Sequence, residues 1–494
     1  MENKYSFQFD VTKVRQALTS LPAVAAQESL IPPSLSGLYV PITHLKAIHP
    51  DSSVVVGMRG AGKSVWTAVL ASDSHREFVR VVADMPVLQN YFVKVGFGLD
   101  ESGEQFPTAQ QLAQYLKTGT DAIDVWTAVV LRHAASVAGL KNNAFKRIQD
   151  TVKWVSTDPS RANDFLTRCD LELAKKSINL LVVFDAFDRL SERWDTVRNY
   201  LLAALRLCLL CRSRKAIRLK LFLRPDMEED AEVWKFADSS KLRHAKIELS
   251  WLPVDLYGLV ISHVANSSRC GYLFRRSIET PLNLTWPKQE NVYVNPRDLV
   301  SNDEALRGVV EAISGRWMGA GAKRGYTFTW IPSHLADAAG RVSPRSFTLA
   351  FRQAANWTQQ SRPNHQYPLH YDGIQDGVAE ASKIRISEIR EDYPWVGSLL
   401  EAARGLSVPC DESDLANLWD KERLRKISES RARLPPRRFS TDPFRKGRPE
   451  TLIDDLVELS VLYRTQDGRL NMPDIFRVGF GIKRKGGVRP VRAG

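Results

Sequence analysis

Gly57-Met58-Arg59-Gly60-Ala61-Gly62-Lys63-Ser64 is the stretch on which the reading of this chain turns. It fits the spacing GxxxxGK[ST] at every position. Its flanks are also those the spacing needs. Ser53-Val54-Val55-Val56 reads as a buried strand, and Val65-Trp66-Thr67-Ala68-Val69-Leu70 reads as the opening turns of a helix. Glycines let the backbone wrap a phosphate with its N–H groups turned inward. The helix N-terminus adds positive potential at the same point. Gly57, Arg59, Gly60, Ala61, Gly62, Lys63, Ser64 and Val65 are therefore the expected nucleotide-binding residues. Lys63 is expected to reach the β- and γ-phosphates and Ser64 to ligate Mg²⁺.

Such a loop needs an acidic partner for the metal. Ile178-Asn179-Leu180-Leu181-Val182-Val183-Phe184-Asp185 is an apolar run ending in a carboxylate, as a buried parallel strand would. Asp185 is the expected second Mg²⁺ ligand. Asp188 lies three residues on, placed either to orient and deprotonate an attacking water or to cap a helix. The position directly after Asp185, where a Glu would be a stronger base, holds Ala186. A third strand, Ala216–Leu223, ends in Arg224-Pro225-Asp226. Ligands sit at the carboxyl ends of parallel strands, so Arg224 is a candidate reporter of the γ-phosphate. A fourth strand, Ala245–Leu249, follows. Strands alternating with long helices predict an α/β fold, with a parallel sheet flanked by helices.

Beyond residue 251 the pattern turns helical, over Val254–Asn266, Pro296–Met318 and Ser343–Asn356. Residues 357–376 are Pro-rich and polar and read as a connector, and Gly377–Gly405 as helix in one or two pieces. Ser430–Pro449 is basic, Pro-rich and expected to be extended. A helix over Thr451–Leu462, then a hairpin turn at Asp467-Gly468, suits a small winged-helix-like domain. The expected division is a P-loop NTPase core over 1–250, a helical lid and connector over 251–375, and a helical region with a basic winged-helix-like end over 376–494.

Charge and composition narrow the classes. Of 494 residues, 44% are hydrophobic and 25% charged, ordinary for a globular protein long enough to bury several cores. No run of about 18 apolar residues exists, so a spanning helix is not expected. The opening MENKYSFQFD has no basic flank followed by an apolar core, which makes the cytoplasm the expected compartment. The net charge of +13 is concentrated: residues 421–448 hold 11 Lys/Arg against 3 Asp/Glu, and 471–494 hold 6 against 1. A basic end of that kind is either a footprint for a polyanion such as double-stranded DNA or a solvated tail. Cys208 and Cys211 have CxxC spacing but sit in the apolar run LLAALRLCLLC, which reads as a buried helix face rather than a metal or redox site.

The loop GMRGAGKS, the strand LLVVFDAFD, the strand end LFLRPD and the helix start SPRSF come in an order that resembles signal-transduction and origin-recognition-like P-loop ATPases. The likeness is to the bacterial AAA-like and STAND-like branch. It implies Lys63 and Ser64 on phosphate and Mg²⁺, Asp185 on Mg²⁺, Asp188 as catalytic acid/base, Arg224 as first sensor and Arg345 as second. Arg243, just before a strand, is similar in position to the arginine finger that acts on a neighbouring subunit's nucleotide. The implied activity is ATP hydrolysis, slow or partner-stimulated for want of an acid after Asp185. The implied role is an oligomerising switch for a partner or effector protein, in an antiphage defence or mobile-element system. The absence of an NKxD motif favours ATP over GTP. The alternatives are a DNA-binding initiator or loader acting through residues 421–494, a P-loop kinase, and a nucleotide-binding scaffold that does not hydrolyse.

Overall fold

A computed structural model describes residues 5, 7–22, 30–99, 105–429 and 448–486. The chain divides into two units. One runs from Ala25 to Ser250; the other joins Met1–Val24 to Trp251–Gly494.

The first unit is built on a five-stranded, all-parallel sheet: β1 (Val54–Val56), β2 (Tyr91–Phe97), β3 (Asn179–Phe184), β4 (Ile217–Leu223) and β5 (Ile247–Glu248). The order across the sheet is β2-β3-β4-β1-β5. Apolar runs give the three central strands, whose residues are almost wholly buried. That is how strands covered by helices on both faces read. The sequence reading missed β2. It is an edge strand with alternating burial, and it carries Lys94, Gly96 and an exposed Phe92 where a continuous apolar run was sought. Between β2 and β3 the chain inserts the helices Ala109–Lys117, Ala122–Ala138, Ile148–Thr157 and Pro159–Lys175. Their ends are locally specified. Thr108 and Gln111 form a reciprocal capping box, Asp158 caps the helix that Pro159 opens, and Gly139 closes another in the left-handed region.

The core beneath β2 and β3 is aromatic. Trp126 is fully buried, with ring centroids 5.3 Å from Phe184, 5.3 Å from Tyr200 and 5.8 Å from Phe97. Its indole N–H donates to the Tyr200 carbonyl at 2.8 Å, so the buried donor is satisfied. Cys208 and Cys211 lie on the buried face of helix Trp194–Cys211, and burial pushes their thiols up to about 12 and about 11. That agrees with a packing role.

The second unit is helical apart from two-stranded pieces. Helix Pro344–Ser361 runs five residues past the expected end, into the stretch read as connector. Phe347, Phe351, Ala354, Ala355 and Thr358 share its buried face, so the apolar stripe continues through residue 358. It packs on helix Tyr371–Asp392, and Gly377 allows the approach, because a Cβ there would press on the Ala350 carbonyl. The connector is thus reduced to 362–370. Arg15, on the helix Val11–Thr19, holds it: the buried guanidinium donates to the carbonyls of Pro363 (2.7 Å), Pro368 (2.9 Å) and Tyr367 (3.0 Å). These bonds tie the N-terminal helix to this unit rather than to the sheet. The region Gly377–Gly405 is in two pieces, broken before Pro394.

Near the C-terminus, Tyr463–Arg464 pairs antiparallel with Leu470–Asn471 around Gly468 (φ 83°), where the hairpin turn was expected. Lys483–Arg484 pairs in parallel with Ser407–Val408. The buried Asp474 collects Arg477 Nε at 2.6 Å and Arg484 Nη2 at 2.7 Å. Most of the stretch expected to be extended, residues 430–447, lies outside the described residues, as does the tail 487–494. Among the described residues, no helix is long and apolar enough to cross a membrane.

Candidate functional site

The loop between β1 and helix Lys63–Ala71 is shaped by its glycines. Gly60 has φ 80° and Gly62 φ 101°, in the left-handed region that side chains disfavour. Gly62 is the helix N-cap and makes no side-chain cap bond, so the first amide N–H groups of the helix have no side-chain acceptor there. Those amides belong to Lys63, Ser64 and Val65. The Lys63 ammonium folds back on the loop, donating to the carbonyls of Gly57 (2.7 Å) and Met58 (3.0 Å). Burial lowers its pKa to about 8, opposed most strongly by the negative charge of Asp185.

Asp185 follows β3 directly and is 1% exposed. Its amide donates to the Phe97 carbonyl at 2.9 Å, and its carboxylate lies beside the Ser64 side chain. Burial pushes the carboxyl up from its usual range, with Ser64 and Lys63 acting the other way. The second carboxylate oxygen, Oδ2, is buried without a hydrogen-bond partner among the described residues. An orphaned carboxylate oxygen is costly in a folded chain unless a ligand satisfies it. Beside a Ser64 hydroxyl, it fits the hard, oxygen-seeking Mg²⁺. Ala186, which replaces the sought-for acid, has φ 56° and ψ 32°, turning the chain sharply behind Asp185.

The sheet order decides what else arrives. Strand β4 lies between β1 and β3, so Arg224 at its carboxyl end stands between the loop strand and the Asp185 strand. Its buried guanidinium donates from Nε to Asp226 Oδ1 at 3.1 Å, and Nη1 is 3.8 Å from Asp188 Oδ2. Lys63 feels the charges of Asp185, Arg224, Asp188 and Asp226 together. Lys63, Ser64, Asp185, Asp188 and Arg224, separate in sequence, thus form one cluster at the carboxyl ends of the strands. A phosphate loop with this buried acid and a parallel sheet between two helical layers has one architecture.

The core is a P-loop NTPase fold.

Of the other two expected arginines, one belongs to the core and one to the helical unit. In this P-loop core, Arg243 ends helix Ser239–Arg243, half-exposed, with its Nε 3.6 Å from Glu228 Oε1. Lys246 holds the other oxygen of that buried carboxylate at 2.7 Å. Arg345 belongs to the helical unit, on the first turn of helix Pro344–Ser361, where its Nη1 donates to Glu388 Oε1 at 2.5 Å. Arg385 donates to the other oxygen of Glu388.

Three groups of the core escaped the sequence reading. Asp226 was passed over as part of a turn, although it directly adjoins the candidate Arg224-Pro225. Lys220 was visible as a charge inside an apolar strand. It is fully buried and donates to the carbonyls of Ala47 (2.7 Å), His49 (2.9 Å) and Ser52 (2.5 Å). His44 had no local signal. Trp66 of the loop helix donates to its Nδ1 at 3.0 Å, so its Nε2 carries the proton and donates to the Ser250 carbonyl at 2.9 Å.

Neither a family model nor a curated protein matches the sequence. Solved structures to which the chain is similar include Cdc6p from Pyrobaculum aerophilum, at 11% identity and a TM-score of 0.31, covering 92% of this chain and 95% of that one. The ORC2 protein of Aeropyrum pernix in ADPNP–ADP complexes gives 12% identity and a TM-score of 0.36, over 97% and 94%. Its ADP form gives 13% and 0.31, over 93% of each chain.

Proposed function

We propose that the chain is an ATP-binding and ATP-hydrolysing regulatory switch that acts on a partner protein. The observation that carries it is the buried Asp185, beside Ser64 and with Oδ2 unpaired among the described residues, next to a loop that offers backbone amides and Lys63 to phosphate. Ser64 and Asp185 would hold Mg²⁺, which neutralises charge on the phosphate oxygens when bound. Lys63 exchanges its two loop carbonyls for phosphate oxygens. Asp188 orients and accepts a proton from the attacking water. Arg224 contacts the terminal phosphate. The half-exposed Arg243 would serve a neighbouring subunit, and Arg345 would serve as second sensor, as the AAA-like and STAND-like resemblance implies. With Ala186 behind Asp185, turnover is slow, which suits a switch more than a motor.

The test is ATP hydrolysis by wild type and Lys63→Ala, with and without double-stranded DNA, alongside mass measurement in solution. Slow hydrolysis that Lys63→Ala abolishes, with nucleotide-dependent assembly or partner binding, supports the switch. No hydrolysis by wild type under any condition would sink it.

The second reading is a DNA-linked ATPase. Exposed Lys483 and Lys485 close to the 463–471 hairpin favour it, together with the basic stretch 421–448. Phosphate contacts would make that binding fall steeply with salt. Hydrolysis stimulated by DNA, and lost on combining Lys483→Glu with Lys485→Glu, would support this reading over the first.

A further inference from the structure

We propose that Asp226 is the positioning residue that aims Arg224 at the terminal phosphate of the nucleotide, an inference that rests on the nucleotide reading above. A guanidinium presents five N–H donors in a rigid plane, and fixing Nε fixes the direction of the two terminal nitrogens. Asp226 Oδ1 takes Nε at 3.1 Å. Both residues are buried, Arg224 at 6% exposure and Asp226 at 7%. Asp226 sits on the short helix Pro225–Glu228 that follows β4 directly, so the anchor and the anchored side chain are two residues apart on backbone that the sheet holds still. The remaining edge of the guanidinium points toward the site: Nη1 lies 3.8 Å from Asp188 Oδ2. That distance is an ion pair and not a hydrogen bond.

Of these two contacts of Arg224, the one to Asp226 is firm and the one to Asp188 is loose. Asp226 keeps Nε in both nucleotide states. A terminal phosphate competes with Asp188 for the outward nitrogens, and with them withdrawn Asp188 is left to the attacking water. Nucleoside diphosphate offers nothing at that position. Asp226 should therefore contribute to the preference for triphosphate over diphosphate and leave diphosphate binding alone.

The experiment measures binding of the non-hydrolysable triphosphate ADPNP and of ADP, each with Mg²⁺, to the full chain. Wild type, Asp226→Ala, Arg224→Ala and the double variant are compared. The expected result is a loss of about tenfold or more in triphosphate affinity for Asp226→Ala, which removes the acceptor of Arg224 Nε, with ADP affinity unchanged. Once Arg224 is gone, Asp226→Ala should have no further effect. Arg224→Lys keeps the charge but has no Nε to anchor, and should show the same loss should Asp226→Ala not fold. Equal weakening of both nucleotides, no change in either, or additive effects in the double variant would overturn the inference while leaving the nucleotide reading intact. Wild type that binds neither nucleotide would overturn that reading, and the inference with it.

Discussion

Two lysines in the same core do opposite jobs with the same chemistry. Lys63, on the phosphate loop, and Lys220, on strand β4, both donate to backbone carbonyls. Burial lowers both, to about 8 and about 7. They differ in what surrounds the ammonium. Lys63 has two carbonyls from its own flexible-glycine loop, a nearby carboxylate in Asp185, and some exposure. On the proposed reading its contacts are exchangeable, and a phosphate would replace them. Lys220 has three carbonyls from the segment 47–52, one for each ammonium proton, and no exposure. It closes the end of the short helix Leu45–Ile48 and pins the chain that leads into β1. A buried cation becomes a ligand site when its partners are replaceable, and a rivet when they are not.

The largest expected effect breaks the first half of this contrast. Lys63→Ala should reduce ATP hydrolysis by about 1000-fold, since a charge aimed at the transferring phosphate is lost. Its melting temperature should stay close to that of wild type, because only two part-buried bonds to the loop's own carbonyls are lost. A large drop in melting temperature would make Lys63 structural as well.

Lys220→Met tests the other half. It leaves the buried Ala47 carbonyl and the partly buried His49 and Ser52 carbonyls unpaired, at up to about 1–3 kcal/mol each, so the core should lose about 3 kcal/mol. For a unit of this size that corresponds to roughly 10 °C in thermal melting. Nucleotide affinity measured well below the new midpoint should be retained. A variant that melts like wild type would show that the three carbonyls find other partners.

The pH dependence comes next in size. Burial lowers His44 to about 4, opposed by its bond to Ser250; it lowers His133 to about 4, with Lys94 and Arg132 adding to the effect and the bond to Val95 opposing it. The unfolded chain, with ordinary values near 6.5, takes up protons first as the pH falls. The contribution is therefore fully present above about 6.5 and is lost as the pH falls toward 4, by up to about 3 kcal/mol for each ring. Thermal melting from pH 8 to 4.5 checks this, and His44→Gln should flatten the curve. An unchanged slope would mean that His44 does not contribute to acid unfolding.

The smallest effect belongs to Arg243. Its pairing with Glu228 is half-exposed and Lys246 stays behind, so Arg243→Ala should cost under about 1 kcal/mol of stability. If Arg243 serves a neighbouring subunit, hydrolysis should nonetheless fall in the assembled protein. Unchanged activity and assembly would confine Arg243 to the surface ion pair.

Much of the core was legible because its signals are local. The glycines and Lys63-Ser64 stand within eight residues, and the strand of Asp185 announces itself as an apolar run ending in an acid. The edge strand β2 was not legible, because half of its side chains face water and its pattern is correspondingly mixed. Helix Pro344–Ser361 overran its expected end for a related reason: the stripe that keeps it helical, ending at Thr358, sits among polar residues that look like a loop when read singly.

By itself, the sequence determined the phosphate loop, the strands that carry Asp185 and Arg224, and the buried thiols of Cys208 and Cys211. Each of these depends on the conformation of a short stretch of chain. Only the tertiary structure decided that β4 lies between β1 and β3, and hence that Arg224 meets Asp188. It also decided that Lys220 reaches Ala47 across 173 residues, and that Arg15 ties the N-terminal helix to the 363–368 segment some 350 residues away. Those choices follow from covering both faces of one sheet and from pairing buried cations such as Lys220 and Arg15 with backbone carbonyls. Both are conditions on the whole packed chain, and no local pattern records them.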